Sequence, residues 1–323
     1  MKSEIGFVLK RDVESGMKKW LKRIAFGLVA ILLVVLVFLI YAMRPLPVPA
    51  KSNFAVTLSN LRTLADKIKG PKPLEIRTAS SFQIKMPHMV VGTGKTWGMN
   101  LMEGWTYQIV FPKKRIMVDV AMGKKALGEK MPGGIFHAKA HANLQKSMLQ
   151  SDAILLTHEH FDHAGGIPSS PYLKQIAAKV YVTPEQLDNP LARDAGLTAE
   201  LSKSFKKIKY KKLHAFMPGV VLIKAPGHTP GSQMFYIKLQ NGSEYLLVGD
   251  VAWNEKNITL PRGHARLVHW MINEDGKALG HQLRFLYNLH RNHPKVHLIV
   301  SHDYEGGLRW IKKGALKKGF LIK

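Results

Sequence analysis

The chain has no cysteine among its 323 residues. That removes disulfides and thiol nucleophiles. It also leaves no thiol to oxidise outside the cytoplasm, which is compatible with export. Acidic residues are scarce: 22 Asp and Glu stand against 48 Lys and Arg, for a formal net charge of +26. An excess of that sign attracts anionic lipid head groups, a polyanion or an anionic small substrate. There is no internal repeat. A complete phosphate-binding loop is also missing. Gly92-Thr93-Gly94-Lys95-Thr96 ends like one, but Met89 stands where the pattern needs its first glycine, so a glycine turn is expected.

Long uncharged runs are absent except for one. Ile24 to Met43 is 20 residues without a charge, enough to cross a bilayer as a helix. Val48-Pro49-Ala50 loosely fits a signal-peptide cleavage site. The apolar run is longer than a usual signal core, however, and prolines at 45, 47 and 49 are poor cleavage context, so an uncleaved anchor is expected. Lys10, Arg11, Lys18, Lys19, Lys22 and Arg23 precede the run, against Arg44, Lys51 and Arg62 after it. That asymmetry predicts a cytoplasmic N-terminus and an exported C-terminal domain. The chain thus divides into a basic cytoplasmic tail (1–23), a transmembrane helix (24–43), a stiff proline-containing linker (44–52) and one large domain (53–323).

Within that domain the densest chemistry is Thr157-His158-Glu159-His160-Phe161-Asp162-His163, an H-x-H-x-D-H run directly after the apolar Ala153-Ile154-Leu155-Leu156. A buried strand ending in a tight loop would deliver four potential ligands together. His158 and His160, two apart, leave the strand end on one side and can share an ion. Asp162 and His163 are adjacent and diverge, which suits a second ion beside the first. Imidazole nitrogens with a carboxylate are a ligand set that zinc accepts. Three further stretches match this chemistry. Pro226-Gly227-His228-Thr229-Pro230-Gly231 fixes one histidine in a rigid loop, Tyr245 to Asp250 is an apolar strand ending in aspartate, and Leu298 to His302 is one ending in histidine.

In this order the motifs resemble those of the metallo-β-lactamase superfamily, in its two-metal lactonase and glyoxalase II-like branch, from about Trp105 to Tyr304. The resemblance implies an αββα sandwich of α/β class. It implies one zinc on His158, His160 and His228, a second on Asp162, His163 and His302, and Asp250 bridging them. Asp119, ending Arg115-Ile116-Met117-Val118-Asp119, matches the superfamily's first motif, where an aspartate supports the ligand shell. Two zinc ions so held would bridge a water, lower its pKa to near neutrality and yield a hydroxide that attacks a carbonyl or phosphoryl centre.

On this reading the chain is a membrane-anchored binuclear zinc hydrolase that cleaves an ester, lactone or thioester of a small molecule. A phosphodiesterase acting on a phospholipid or nucleic acid is the alternative, and a non-catalytic metal-binding module a further one. Asp162 and Asp250 are candidates to accept a proton in transit, and Tyr304 to stabilise an oxyanion. Arg262 and His264, flanking Gly263, are the expected substrate contacts. The expected location is the bacterial inner membrane, single-pass, with the domain periplasmic or otherwise extracytoplasmic. The lysines at 203, 206, 207, 209, 211 and 212 read as a basic face that meets anionic lipid rather than nucleic acid. Local pattern predicts a helix within Asn53 to Ile68, hairpin strands at Thr106–Phe111 and Ile116–Val120, helices over Tyr172–Ala178 and Gly280–Leu289, and a strand at Val180–Val182.

Overall fold

The computed structural model describes residues 2–322, with side chains from position 16 onward. It forms two compact units, Met1–Arg44 and Pro45–Lys323. The first is a single helix, Lys2–Met43, so the basic tail continues the helical backbone of the apolar run. Its Gly16–Met43 stretch is long and apolar enough to cross a membrane.

The second unit holds two sheets. The first contains β1 (Glu75–Pro87), β2 (Met99–Val110), β3 (Arg115–Val118), β4 (Ile135–Phe136), β5 (Ala153–Leu155), β6 (Val180–Val182) and β7 (Lys206–Lys207). The second contains β8 (Leu213–Met217), β9 (Val220–Lys224), β10 (Gln233–Lys238), β11 (Glu244–Leu247) and β12 (Val296–Ile299). The chain then returns to the first sheet with β13 (Lys317–Lys318). Spatial order is β13-β1-β2-β3-β5-β6-β7, with β4 also on β1, and β12-β11-β10-β9-β8. In each sheet, strands nearest the site run parallel: β3 with β5 and β6, and β11 with β12.

Period-two alternation sorts the strand side chains into layers. Val220, Leu222, Phe235 and Ile237 of the second sheet meet Ile116, Val118, Ala153 and Leu155 of the first in the middle core. Their neighbours Val221, Ile223, Met234 and Tyr236 face outward onto the helices Leu58–Ala65 and Gly276–Asn292. Met117, Ile154 and Leu156 face the opposite way, onto Leu127, Leu144 and Met148 of the helices Lys124–Lys130 and Ala138–Leu149. Strands buried on both faces explain the continuous apolar runs in the sequence, each such side chain contributing about 1.5–3 kcal/mol by burial. The result is the expected αββα sandwich.

The Val180–Val182 strand lies where local pattern places it, whereas the first hairpin strand begins at Met99, well before the expected Thr106, and the second ends at Val118 because Asp119 turns to φ 60°. The early helix is Leu58–Ala65, capped by the Thr57 hydroxyl, which accepts from Asn60 N at 3.2 Å. Tyr172–Ala178 is shorter in α-helix than expected, Leu173–Ile176, and ends in a 3-10 turn at Ala177–Lys179. The glycine turn is also there: Gly92, at φ 78°, ends the short helix His88–Val91. One expectation is corrected. The proline linker is no free spacer: Pro45 bridges Ala265, Arg284 Nε donates to Pro49 O at 2.6 Å, and Ser52 Oγ to His281 O at 2.7 Å. Prolines lack an N–H to satisfy, so their carbonyls and rings are free to dock onto the domain.

Candidate metal centre

Parallel pairing explains how residues so distant in sequence converge. Because β11 and β12 run side by side, the residues after their C-terminal ends, Asp250 and His302, emerge at one rim. β3 and β5 do the same for Asp119 and His158. His160 caps the one-turn helix Phe161–Ala164, which carries Asp162 and His163. His228 enters from the loop between β9 and β10.

Three groups of donors result: His158–His160–His228, Asp162–His163–His302, and His158–His163–Asp250. In the first, His160 Nδ1 lies 3.0 Å from His158 Nε2 and 2.9 Å from His228 Nε2. In the second, His163 Nε2 is 3.2 Å from His302 Nε2, and Asp162 Oδ2 is 3.7 and 3.6 Å from those two nitrogens. Asp250 stands between them. Its Oδ2 is 3.1 Å from His302 Nε2, 3.5 Å from His228 Nε2 and 4.0 Å from His158 Nε2, while Oδ1 is 3.3 Å from His163 Nε2. Two donors about 2.1 Å from one tetrahedral ion sit about 3.4 Å apart, so these separations suit a shared cation. The buried Asp250 Oδ1 has no hydrogen-bond donor among the described residues. Nitrogen lone pairs facing each other, with an orphaned carboxylate oxygen among them, call for positive charge. The donor set fits two zinc ions.

Protonation preferences divide the histidines by their surroundings. Burial works against a charged His163, yet Asp250, Asp119 and Asp162 outweigh it and hold its pKa well above the usual histidine value. His302 is likewise raised against burial, by Asp250. His158 is pushed well down by burial and by His163, and His160 falls to about 4 through burial and His228. Asp250 stays well below the carboxylate range despite burial because His302 and His163 surround it.

Every histidine of the donor groups except His160 has its other ring nitrogen held. His163 Nδ1 lies 2.9 Å from Asp119 Oδ2, His302 Nδ1 2.8 Å from Glu103 O, and His158 Nδ1 3.0 Å from Thr157 Oγ1. Asp119 adopts φ 60°, in the left-handed region that Asp tolerates better than most side chains. Its carboxylate accepts from Thr157 N and Oγ1 at 2.7 and 2.8 Å, tying the first motif to the second. Such contacts fix the tautomer and aim the ring.

Sequence reasoning missed two carboxylates. Glu274 is buried, with its Oε1 2.5 Å from His228 Nδ1, and His264 and His269 also turn a ring nitrogen toward it. Glu159, inside the H-x-H run, accepts from Thr229 Oγ1, Asn189 Nδ2 and Gly231 N, which fastens the His228 loop to the His158 loop. A buried position within the ligand run was the available signal for Glu159. Glu274, in Asn273-Glu274-Asp275, looks like an ordinary turn acid.

Other expected residues fall elsewhere. His264 is buried behind His228, its Nδ1 3.1 Å from Glu274 and its ring stacked 3.9 Å from that of Trp253, whose Nε1 donates to Asp250 Oδ2 at 2.8 Å. It therefore supports the centre from behind rather than facing an open groove. Arg262 lies against the tip of the β1–β2 hairpin, its Nη1 3.8 Å from where a Cβ on Gly94 would sit. Tyr304 opens the helix Tyr304–Lys312 and lines a groove of about 670 Å³ with Thr78, Ser80, Trp105 and Asn143. None of the seven candidate ligand side chains lines that groove.

The metallo-beta-lactamase superfamily model matches residues 102–293. The N-acyl homoserine lactonase of Bacillus thuringiensis is 23% identical over 197 residues, covering 53% of this chain and 73% of that protein. A solved N-acyl homoserine lactone hydrolase, with the product N-hexanoyl-L-homoserine at its catalytic metal centre, superposes with a TM-score of 0.57 at 19% identity. It covers 75% of this chain and 97% of the other. AidC, a dizinc quorum-quenching lactonase, gives a TM-score of 0.53 at 15% identity over 73% of this chain and 90% of its own. The family match spans more than half of the sequence and contains six of the seven candidate ligands, His302 lying beyond it. The chain belongs to the metallo-beta-lactamase superfamily and is a metal-dependent hydrolase with a centre for two zinc ions.

Proposed function

We propose that this is a membrane-anchored hydrolase that opens a lactone, or cleaves a related ester or thioester, at a two-zinc centre. The observation that carries it is the complete set of five histidines and two aspartates, arranged as two donor groups sharing Asp250. Two zinc ions held there supply Lewis acidity for a carbonyl oxygen and acidify a water for attack. Everything else falls to the chain. His158, His160 and His228 hold one side of the centre, and Asp162, His163 and His302 the other. Asp119, Glu274 and the Glu103 carbonyl keep three of the imidazoles aimed. Asp162, the most exposed carboxylate of the set at 10%, would pass a proton from the attacking side to the leaving oxygen. The names of the relatives favour a lactone.

The test is a substrate panel on the purified full chain: an N-acyl homoserine lactone, an aryl thioester and a bis-aryl phosphodiester. Lactone turnover should be fastest, and should vanish on chelation and return with zinc. A phosphodiester turned over best would replace this reading with the phosphodiesterase one. Activity that survives complete removal of metal would sink both.

A further inference from the structure

We propose that the tip of the β1–β2 hairpin and the segment from Lys256 to Asn273 form a face that rests on an anionic lipid bilayer. It rests on the reading of residues 24–43 as an uncleaved anchor. Pro45, the first residue of the domain, is bridged to Ala265, and Arg266 Nη1 donates to its carbonyl at 3.2 Å. Met43, the last residue of the apolar helix, lies two positions earlier, a reach of about 7 Å at most. An anchored chain therefore holds Ala265 next to the membrane surface.

The hairpin tip shares that neighbourhood. Ala265 N donates to Val90 O at 3.2 Å, Asn257 Nδ2 to Val91 O at 2.7 Å, and a Cβ on Gly94 would lie 3.0 Å from Leu260 Cδ1. His88 N donates to Gly98 O at 3.1 Å, closing the loop that carries Trp97. Large apolar side chains are exposed here: Trp97 at 87%, Met271 at 73%, Met99 at 53% and Leu260 at 47%. A soluble face has no use for such a set, whereas the lipid–water interface accepts tryptophan and methionine readily.

Charge identifies the lipid. Residues 85–100 and 256–273 carry Lys85, Lys95, Lys256, Arg262 and Arg266 and no acidic side chain. Basic residues around an apolar patch, close to a membrane anchor, match negatively charged head groups. The lysines at 203–212 lack this connection. Lys203 is paired with Glu200, Lys206 lies over the Tyr181 ring, and β7 is the edge of the first sheet farthest along from β1.

The lack of cysteine makes the test direct. Single variants Trp97→Cys, Met99→Cys and Met271→Cys of the full chain, with Lys125→Cys and Lys207→Cys as comparators, are spin-labelled in phosphatidylcholine–phosphatidylglycerol vesicles. Collisions with lipid-dissolved oxygen and with an aqueous nickel complex are then measured. Labels at 97, 99 and 271 should show an oxygen-to-nickel ratio several-fold above that at 125 and 207, each variant keeping its zinc. The contrast should shrink in neutral phosphatidylcholine. Ratios at 97, 99 and 271 equal to those at 125 would overturn the face, and a high ratio at 207 alone would assign contact to the lysine block. Carbonate washing of the same vesicles reads the anchor separately. A chain retained there with aqueous labels refutes only the face, whereas a chain extracted by carbonate removes the anchor reading and the face with it.

Discussion

At the scale of single residues, Glu274 carries the strongest prediction. Burial would raise its pKa, but His264, His228 and His269 hold it well below the carboxylate range, so it stands as a full negative charge behind His228. Glu274→Gln keeps the shape and removes the charge that fixes His228. Zinc affinity in a competition assay with a chelating dye should fall about 10–100-fold, the usual cost of losing such a support. An unchanged affinity would reduce Glu274 to a packing residue. The cluster of donors was legible because four lie in one run and the other three sit in rigid or strand-end contexts. Glu274 was not, since its role depends on Asn273, at φ 55°, turning the chain inward. His264 was misplaced for the same reason: adjacency to Gly263 suggested an open loop, whereas Glu274 draws its ring into the interior.

Among elements, the short helix Phe161–Ala164 depends on the two glycines after it. A Cβ on Gly166 would lie 2.0 Å from the carbonyl oxygen of Val120, which no side-chain movement relieves. Gly166→Ala should therefore cost about 3 kcal/mol or more in a thermal melt and lower the zinc content with it. Gly128→Ala, on an open helix face with nothing within 4 Å, should be neutral or slightly stabilising. The helix Leu58–Ala65 is fastened differently. Arg62 grips Glu244 of β11 through two bonds of 2.8 and 2.6 Å, and the Tyr236 hydroxyl donates to the same carboxylate. Burial raises the Glu244 pKa, but Arg62 and Tyr236 lower it further, for a net depression from 4.5. Its stabilising contribution is thus full above the unfolded value of about 4.3 and is lost as pH falls through the folded one. With Arg62 about half exposed, Glu244→Gln should cost about 1 kcal/mol at neutral pH, and nothing once the wild-type carboxylate is protonated. A constant difference from pH 7 to pH 3 would contradict this. Apolar spacing foretold that helix, but its pairing across 182 residues was invisible to any local pattern.

Over the whole molecule, the charge asymmetry around residues 24–43 leads to a topological prediction. Protease added to spheroplasts should digest the catalytic domain, and protection until lysis would reverse the orientation. The apolar runs left by strands buried on both faces suggested two packed sheets covered by helices, while the αββα sandwich itself came from the resemblance carried by the motifs at their ends. The docked proline segment was not readable. Pro45 to Pro49 has the composition of a spacer, and the bridge of Pro45 to Ala265, the packing of Val48 and the carbonyl acceptors used by Arg266 and Arg284 give it a place in the domain.

His302, the last ligand in chain order, follows β12, an outer strand of the second sheet, and Ser301 and His302 carbonyls accept from Trp105 and Glu103 of β2. The segment is a seam between the two halves of the sandwich. A chain emerging from a ribosome or a translocon exposes it after the other six candidate ligands. Until it arrives, the second donor group has only Asp162 and His163 beside Asp250, so the ion there can be captured firmly only once the seam closes. Metal loading thereby becomes a report of completed assembly: a chain truncated or stalled before β12 has no finished centre to arm.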